Sequence, residues 1–271
     1  MIEVTVLLVV HNCETYIKEC IESILCQSYT AFELLIVNDG STDNTPTVIK
    51  QFKDYRIRLI DNPCNDYIVS LNMGLEQAKG EYIARMDGDD VMLPERLERQ
   101  VKIMNVRKDI AVCTSWCKCF GSCDDIIGRE SGFISTPLVY MLKGNFIAHP
   151  ATMLRKSFLV ENKLVYRDYK FAEDYKLWSE IAIKGGNIWV IPEVLLKYRC
   201  PTHQISYKKQ EHQAETSLLI KSEILNYLVE YYSRRDQSIT TLYESLFSFN
   251  ERGMLPADLI FDVFYEIFYH Q

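Results

Sequence analysis

The feature that most constrains the fold is a regular alternation of strand patterns and helix patterns along the first half of the chain. Val4 to Val10 is a nearly continuous apolar run rich in β-branched residues, which is typical of a strand covered on both faces. Apolar residues then recur at helical spacing from Ile17 to Leu25, and Phe32 to Val37 is a second strand pattern. Because strands that alternate with helices over short connections pair in parallel, we predict an α/β fold with a mostly parallel central sheet flanked by helices.

Polar residues follow three of the predicted strands at the point where each strand ends. His11 and Asn12 follow the first strand, Asp39 ends the second, and an acidic run from Asp87 to Asp89 ends a later one. Ligands of open α/β sheets bind beyond the carboxyl ends of the strands. We therefore expect these polar groups to converge on one crevice.

The acidic run in YIARMDGDD predicts a metal site. Asp87 and Asp89 are two residues apart, which in extended chain puts both side chains on one side, and Gly88 leaves the backbone open to a ligand. Two oxygen ligands with open positions beside them suit a hard divalent cation that also binds phosphates and water. Asp90 points the other way by the same alternation, and we expect it to have a structural role.

Composition excludes several classes of partner. The chain has 271 residues, 48% of them hydrophobic, and a net charge of −7, which argues against nucleic acid as the main partner because no basic field opposes a phosphate backbone. No apolar run reaches the roughly 18 residues that a membrane-spanning helix needs. Nine cysteines, an odd count, and no signal peptide favour free thiols in the cytoplasm.

Four of the cysteines lie close together in sequence but do not have the spacing of a zinc site. Cys113, Cys117, Cys119 and Cys123 lack the paired C-x2-C pattern of structural zinc sites. The stretch AVCTSWCKCF alternates as a strand does, so we expect core or half-buried thiols.

The glycine-rich phosphate loops of dinucleotide-binding and P-loop proteins are also absent from the sequence. The diphosphate of a bound nucleotide must then be held in another way, for which a metal on the acidic pair is the obvious means.

The chain after Tyr207 has a different, helical character. We therefore divide the whole chain into a catalytic domain of residues 1–206 and a C-terminal helical extension of residues 207–271. The segment PADLIFDVFYEIFYHQ carries a strong apolar stripe, which could dock on the catalytic domain, on a partner such as a second copy of the chain, or on a membrane. Asp258, Asp262 and Glu266 on its polar face would repel anionic lipid, so packing against protein is favoured.

Five segments in order carry a resemblance to a known family. VVHNCETYIKECIESILCQSY, FELLIVNDGSTDNT and LNMGLEQAKGEYIARMDGDDVMLPERLERQV are followed by IAHPATMLRKSFL and EDYKLWSEIAIKGGNIWVIPEVLLKYR. Together they resemble the inverting, nucleotide-sugar-dependent glycosyltransferases of family 2, which bacteria use for surface polysaccharides. The resemblance covers roughly Val4 to Ser206. It implies the GT-A fold, with a Rossmann-like sheet, and the C-terminal helical appendage lies outside the match.

The resemblance assigns the donor site to residues at the strand ends. Asp39 matches the acid that accepts a hydrogen bond from the nucleotide base, a suitable reader of the uracil imide. Asp87 matches a residue near both the ribose and the metal, and Asp89 matches a direct metal ligand for Mn²⁺ or Mg²⁺. His203 lies in a late loop that closes over the diphosphate in relatives, where it would bind the metal or a phosphate. The edge of the nucleoside pocket matches Val9, His11, Asn12 and Glu14, with Arg85 and Arg199 as candidate phosphate partners.

One departure from the family concerns the first strand. This chain has Val9-Val10-His11-Asn12 where relatives more often have Pro-x-Tyr-Asn, so an imidazole replaces a phenol at the nucleoside pocket. The choice of nucleotide therefore depends on more than the resemblance.

The resemblance places the general base at the acidic pair Glu173-Asp174, with Asp174 as the base and Glu173 as neighbour or alternative. A base is needed because the acceptor hydroxyl must lose its proton as it attacks the anomeric carbon. A single displacement inverts that carbon, and no covalent nucleophile is needed. His149 is expected to be packed or hydrogen-bonded rather than catalytic.

We therefore expect a transferase that uses a nucleoside diphosphate sugar, most simply a UDP-sugar, and a glycan or lipid-linked acceptor. We expect it in the cytoplasm or bound peripherally to the inner membrane face, and the C-terminal helices offer a surface for a homodimer. Two alternatives stay open: a nucleotidyltransferase, which would release pyrophosphate, and a catalytically silent nucleotide-sugar-binding subunit.

Overall fold

The computed structural model describes residues 2–200 and 207–270. Its strands are β1 (Val4–Val10), β2 (Phe32–Asp39), β3 (Ile57–Asn62), β4 (Tyr82–Asp87), β5 (Val91–Met92), β6 (Ile110–Gly121), β7 (Ile126–Ile127), β8 (Gly132–Ile134), β9 (Met153–Arg155) and β10 (Asn187–Cys200). Its helices are α1 (Ile17–Leu25), α2 (Thr45–Gln51), α3 (Tyr67–Gln77), α4 (Arg96–Val106), α5 (Pro137–Met141), α6 (Lys156–Glu161), α7 (Glu173–Ile183), α8 (Tyr207–Ser233), α9 (Ser238–Glu251) and α10 (Ala257–Tyr269).

All of these strands join one sheet, in the order β3-β2-β1-β4-β9-β6-β10-β5, with β7 on β6 and β8 on β10. The four strands of the first half are parallel, as the strand-helix alternation predicts. The second half is mixed: β9 runs antiparallel to both β4 and β6, and only β6 and β10 pair in parallel. The prediction of a mostly parallel sheet therefore holds for the first half, where each strand returns through a helix.

The apolar segment from Phe146 to Leu154, whose pattern favours a strand, folds differently. It forms a 3₁₀ turn at His149–Ala151 and then the short strand β9. Pro150 explains the difference, because a proline lacks the N–H that a ladder bond needs and its ring favours the first turn of a helix.

Helices cover both faces of the sheet. The side chains of β1 alternate between the two layers: Val6 and Leu8 join a cluster that contains residues of α1, α2 and α4. Leu7 and Val9 join a cluster on the opposite face that contains residues of α3, α5 and α7. Every residue of β1 is buried, which agrees with its continuous apolar sequence.

The apolar stripe of α10 packs on the rest of the chain. Ile260, Phe261, Phe264 and Phe268 are buried in the same cluster as the core residues of α5 and α7. At the edge of this contact, Lys143 Nζ lies 2.9 Å from Asp262 Oδ1. The stripe therefore contacts the preceding part of the chain, which is one of the three docking surfaces considered for it. In the ranges that the structure describes, no helix is both long and apolar enough to cross a bilayer.

Candidate active site

The carboxyl ends of β1, β2 and β4 meet at one edge of the sheet, as predicted. Val9 pairs with Asp87 on one side, and Val10 pairs with Asn38 on the other. Asp39 therefore lies one residue beyond the end of β1, and the acidic run begins where β4 ends. Parallel pairing in register is what brings these distant segments of the chain to one place.

Asp39 is buried, and only one of its two carboxylate oxygens is engaged. Its Oδ1 accepts hydrogen bonds from the Asp66 N–H at 2.9 Å, from Ser70 Oγ at 2.9 Å and from Asn62 Nδ2 at 3.3 Å. Among the described residues, none donates a hydrogen bond to Oδ2. The carboxylate is therefore held rigidly by α3 and β3 and keeps one acceptor oxygen for another donor.

The other residues predicted at the nucleoside pocket fasten two loops together. Asn12 Oδ1 accepts from the Thr42 N–H at 2.8 Å, and Glu14 Oε2 accepts from the Asn44 N–H at 2.9 Å. The His11 ring nitrogen Nδ1 lies 2.7 Å from the carbonyl oxygen of Asp39. Asn12 has a positive φ of 51°, a conformation that Asn adopts more readily than most residues. These side chains fix the loop after β1 against the loop after β2, which shapes the crevice, while the Val9 side chain is buried in the core.

The acidic run is a turn rather than an extended strand, because β4 ends at Asp87. Asp87 and Asp89 are partly exposed, whereas Asp90 is buried. Asp90 therefore differs in exposure from the other two aspartates, as predicted. Gly88 has a packing role that the sequence did not predict. A Cβ at this position would lie 2.9 Å from Val10 Cγ1 and 3.1 Å from Cys13 Sγ, so the glycine allows the turn to pack against the end of β1.

Arg199 holds this turn in place. Its Nε donates to the Asp89 carbonyl at 2.7 Å, and its backbone N–H donates to Asp90 Oδ1 at 2.8 Å. A terminal nitrogen of its guanidinium lies 2.5 Å from Glu19 Oε2. The sequence suggested Arg199 as a phosphate partner, but its guanidinium is committed to protein groups.

Arg85 lies buried beneath the acidic turn. Its Nη1 is 2.6 Å from Asp87 Oδ1, and its Nη2 donates to the Tyr67 hydroxyl. Burial by itself disfavours the charge, but the Asp87 carboxylate outweighs that effect and raises the pKa of Arg85. The permanently charged guanidinium therefore fixes one oxygen of Asp87, and the Asp87 side chain stays partly exposed.

The acidic turn has the properties expected of a divalent-cation site. Burial and the charge of Asp87 raise the pKa of both Asp89 and Asp90, and Asp90 Oδ2 is a buried oxygen without a hydrogen-bond partner. A cation would stabilise such crowded carboxylates. Within the described ranges, no third His, Cys, Asp or Glu joins Asp87 and Asp89 to form a closed set of ligands. An ion there would keep open positions for diphosphate and water, as hard cations do at phosphate sites. His203, predicted as a third ligand, lies outside the described residues.

The acidic pair opens α7 beside this turn. Asp174 accepts two hydrogen bonds, from the Tyr175 N–H at 2.6 Å and from Asn145 Nδ2 at 2.9 Å. Burial raises the pKa of Asp174 to about 6, although these two hydrogen bonds lower it. Burial also raises the pKa of Glu173 to about 7, and the Asp174 charge adds to the rise. In the described parts of the chain, no other residue hydrogen-bonds to the Glu173 carboxylate.

A cleft of about 540 Å³ lies against Glu173. It is lined by Tyr67, Ile68, Asp168, Lys170, Phe171, Glu173 and His212. Tyr67 connects the two halves of the site, because it accepts from Arg85 and lines the cleft with Glu173. Phe171 presents an exposed aromatic ring two residues before the pair, on a backbone with a φ of 60° that bulky residues rarely adopt.

His149 is packed and hydrogen-bonded, as predicted. Its Nε2 lies 2.8 Å from the Tyr166 hydroxyl, and its ring meets the edge of Trp178. Burial lowers the pKa of His149 well below its usual value, so the ring is neutral. Sequence reasoning missed Tyr67 and Asn145 as parts of the site, because each lies in a segment that carries no recognisable motif.

Comparisons with known proteins identify the family of this chain. Residues 5–162 match the model of the family described as glycosyl transferase family 2. An uncharacterised glycosyltransferase of Haemophilus influenzae is 35% identical over 244 residues, which cover 83% of this chain and 73% of the relative. WfaP of Escherichia coli, named as a UDP-Glc:α-D-GlcNAc-diphosphoundecaprenol β-1,3-glucosyltransferase, is 31% identical over 81% of this chain and 86% of its own.

Solved structures show the same fold. The structure of TarS of S. aureus in complex with UDP-GlcNAc has a TM-score of 0.69 at 19% identity, over 87% of this chain and 74% of that one. The mannosyltransferase PcManGT of Pyrobaculum calidifontis, solved with GDP-Man and Mn²⁺, has a TM-score of 0.64 at 18% identity, over 98% of this chain and 80% of that one. The chain therefore has the GT-A fold, belongs to glycosyl transferase family 2 and is a glycosyltransferase.

Proposed function

We propose that this glycosyltransferase moves a sugar from a UDP-sugar to a hydroxyl of a glycan or lipid-linked acceptor in cell-surface polysaccharide synthesis. One observation carries the proposal: the half-free carboxylate of Asp39 and the acidic turn lie at one edge of the sheet, and the acidic pair of α7 is near enough for the charge of Asp87 to act on Glu173. These are the groups needed to bind a base, to balance a diphosphate and to accept a proton.

In this proposal, Asp39 Oδ2 accepts a hydrogen bond from the nucleotide base. A uracil ring offers an imide N–H donor, and a carboxylate oxygen with no partner in the described protein is a strong acceptor for it. The names of WfaP and of the TarS complexes also contain a uridine nucleotide, which supports UDP in the same position. The loops fastened by Asn12 and Glu14 would form the wall of this pocket.

Asp87 and Asp89 would hold Mn²⁺ or Mg²⁺ in this proposal. When bound, such an ion supplies Lewis-acid stabilisation to the departing nucleoside diphosphate. Arg85 positions Asp87 by fixing its Oδ1, and Arg199 positions Asp89 by holding its carbonyl oxygen. The complex of PcManGT with GDP-Man and Mn²⁺ supports a divalent ion in a protein of this fold.

Asp174 serves as the general base, with Glu173 as the alternative. The Asn145 amide orients the Asp174 carboxylate, and a pKa of about 6 leaves it ionised near neutral pH and basic enough to take a proton in the transition state. Glu173 faces the cleft without a hydrogen bond from another described residue, which makes it the second candidate. A base on the face opposite the leaving group gives one displacement and inversion of the anomeric carbon.

The cleft beside Glu173 is the proposed acceptor site. Tyr67 offers a flat aromatic face for a sugar ring, and Lys170 offers a cation for a phosphate. The lipid diphosphate in the name of WfaP supports a lipid-linked acceptor, which would place the enzyme at the inner membrane face.

Exposed Leu218 and Leu219 on α8 support the homodimer expected through the C-terminal helices.

A thermal-shift panel tests the donor and the metal together. The protein is heated with UDP-Glc, UDP-GlcNAc or GDP-Man, each with and without Mn²⁺. A ligand at 100 times its Kd stabilises the fold by about 2.7 kcal/mol, which for a chain of this size is a shift of several degrees. The largest shift is expected with a uridine nucleotide and Mn²⁺. The proposal fails if no nucleotide sugar shifts the melting temperature, or if a nucleoside triphosphate and a sugar phosphate give pyrophosphate instead.

A further inference from the structure

Three cysteine thiols converge at a point that the proposed reaction does not use. The sulfur atoms of Cys119, Cys123 and Cys200 lie within 4.8 Å of one another. Cys119 is on β6, Cys123 is in the turn that follows β6, and Cys200 is the last residue of β10. All three are free thiols, and Cys123 and Cys200 are partly exposed.

The backbone imposes this convergence. Tyr198 pairs with Cys119 and Cys200 pairs with Gly121, so the ends of β6 and β10 run side by side. The Cys119 N–H donates to the Asp125 carbonyl at 2.8 Å, which folds the turn back over β6. The Ser122 N–H donates to the Cys200 carbonyl at 3.3 Å, which ties the same turn to β10. The thiols therefore meet because the main chain is paired on both sides of them.

We propose that Cys119, Cys123 and Cys200 form a binding site for Zn²⁺ that is distinct from the acidic turn. Thiolates are the ligands that this borderline-soft ion prefers, whereas Mn²⁺ and Mg²⁺ prefer carboxylate oxygens. With Zn–S bonds of about 2.3 Å, the sulfurs of a tetrahedral site lie about 3.8 Å apart. Sulfurs within 4.8 Å reach that spacing through small side-chain movements. On binding, the ion displaces a proton from each thiol, and its fourth position takes a water molecule.

This zinc site would stabilise the end of β10. Cys200 directly follows Arg199, whose backbone N–H and guanidinium hold the acidic turn through Asp90 and the Asp89 carbonyl. Fixing the Cys200 sulfur to β6 therefore restrains the strand end that positions the proposed catalytic metal ligands. Zinc at the three thiols would affect donor binding by fixing the position of the acidic turn, without contact with the donor.

Cobalt binding to the reduced full-length chain tests this site. Co²⁺ replaces Zn²⁺ at thiolate sites and gives a strong sulfur-to-metal absorption band, which a carboxylate site does not give. We expect this band at one Co²⁺ per chain, and Zn²⁺ should abolish it. Cys123→Ser and Cys200→Ser should each lose the band, whereas Cys26→Ser, which removes an exposed thiol elsewhere, should keep it. Asp89→Ala should also keep the band, which separates this site from the proposed catalytic metal.

Zinc affinity gives the second readout. In competition with a chromophoric chelator, Cys123→Ser should bind Zn²⁺ much more weakly than Cys26→Ser, while its metal-free melting temperature stays close to that of the parent. The proposal is overturned if Cys123→Ser and Cys200→Ser both keep the parent's affinity for Zn²⁺ or if the parent shows no thiolate band. It is also overturned if thiol titration finds a disulfide among the three cysteines.

Discussion

Asn145 Nδ2 donates a hydrogen bond of 2.9 Å to Asp174 Oδ2, which couples the loop after α5 to the first turn of α7. The contact orients the proposed base and lowers its pKa, in opposition to the burial that raises it to about 6. The activity of the enzyme should therefore depend on an amide that makes no contact with the reacting atoms.

The pH dependence of the reaction tests this coupling. A base must be deprotonated, so kcat/KM should fall as the pH drops through about 6, or through about 7 if Glu173 is the base. Asn145→Ala removes a hydrogen bond to the charged form, so the pKa of Asp174 should rise and the acid limb should move up by roughly one pH unit. The measurement is a pH–rate profile, with Asn162→Ala, directly after α6, as the control. An unchanged acid limb in Asn145→Ala would argue for Glu173.

Direct substitution separates the two carboxylates. Asp174→Asn should lower kcat by about 10²- to 10⁴-fold, which is the usual contribution of a general base. Glu173→Gln should have a smaller effect if it only neighbours the base. Steady-state kinetics at saturating donor give both values, and the opposite order of effects would reverse the assignment.

Asp39→Asn tests the reading of the base. The amide oxygen of the variant can still accept from the Asp66 N–H and from Ser70. Its NH₂ group then faces the N–H of the nucleotide base, so two hydrogen-bond donors meet and no hydrogen bond forms. Loss of one charge-assisted hydrogen bond should weaken UDP binding by about 1.5–3 kcal/mol, roughly 10- to 150-fold. Calorimetric titration with UDP measures this. Asp61→Asn on β3, which makes the same charge change at a residue paired with Asn38, should bind as the parent does.

Asp89→Ala tests the metal. Turnover with the donor identified in the thermal-shift panel should become undetectable, and the extra stabilisation by Mn²⁺ should disappear. Asp258→Ala, which removes an exposed carboxylate from α10, should leave both unchanged. Full Mn²⁺-dependent turnover in Asp89→Ala would remove Asp89 from the metal site.

Gly88→Ala should destabilise the fold because its Cβ would overlap Val10 Cγ1. Overpacking of this kind typically costs about 1–3 kcal/mol. Val10→Ala removes the overlapping atom, so the double variant should lose less stability than the sum of the two single variants. Denaturant unfolding of the four proteins measures the coupling, and additive effects would mean that the turn relaxes away from β1.

Phe264→Ala tests whether the C-terminal helices share the stability of the sheet. Phe264 is fully buried among residues of both parts of the chain, so its truncation should cost about 3–5 kcal/mol. Leu259→Ala, on the exposed side of the same helix, should change stability by no more than about 0.5 kcal/mol. Two separate unfolding transitions would support residues 207–271 as an independent unit.

Features that depend on neighbouring residues could be predicted from the sequence. The all-apolar run of β1 and the helical spacing in α1 specified the parallel half of the sheet, since each pattern is set by a backbone period. The position of Asp39 and of the acidic run at strand ends was also local information. The parallel register then follows from the chirality and twist of such units, which is why one crevice could be predicted.

Which distant residues meet depends on the tertiary structure. Asn145 reaches Asp174, Arg199 binds the acidic turn, and Cys200 joins Cys119 and Cys123, although no motif links the members of these groups. It also showed that Gly88 serves close packing and that the stripe of α10 covers the chain's own core. Such contacts depend on how layers pack and on which strand ends lie side by side. Local periodicity contains no record of either.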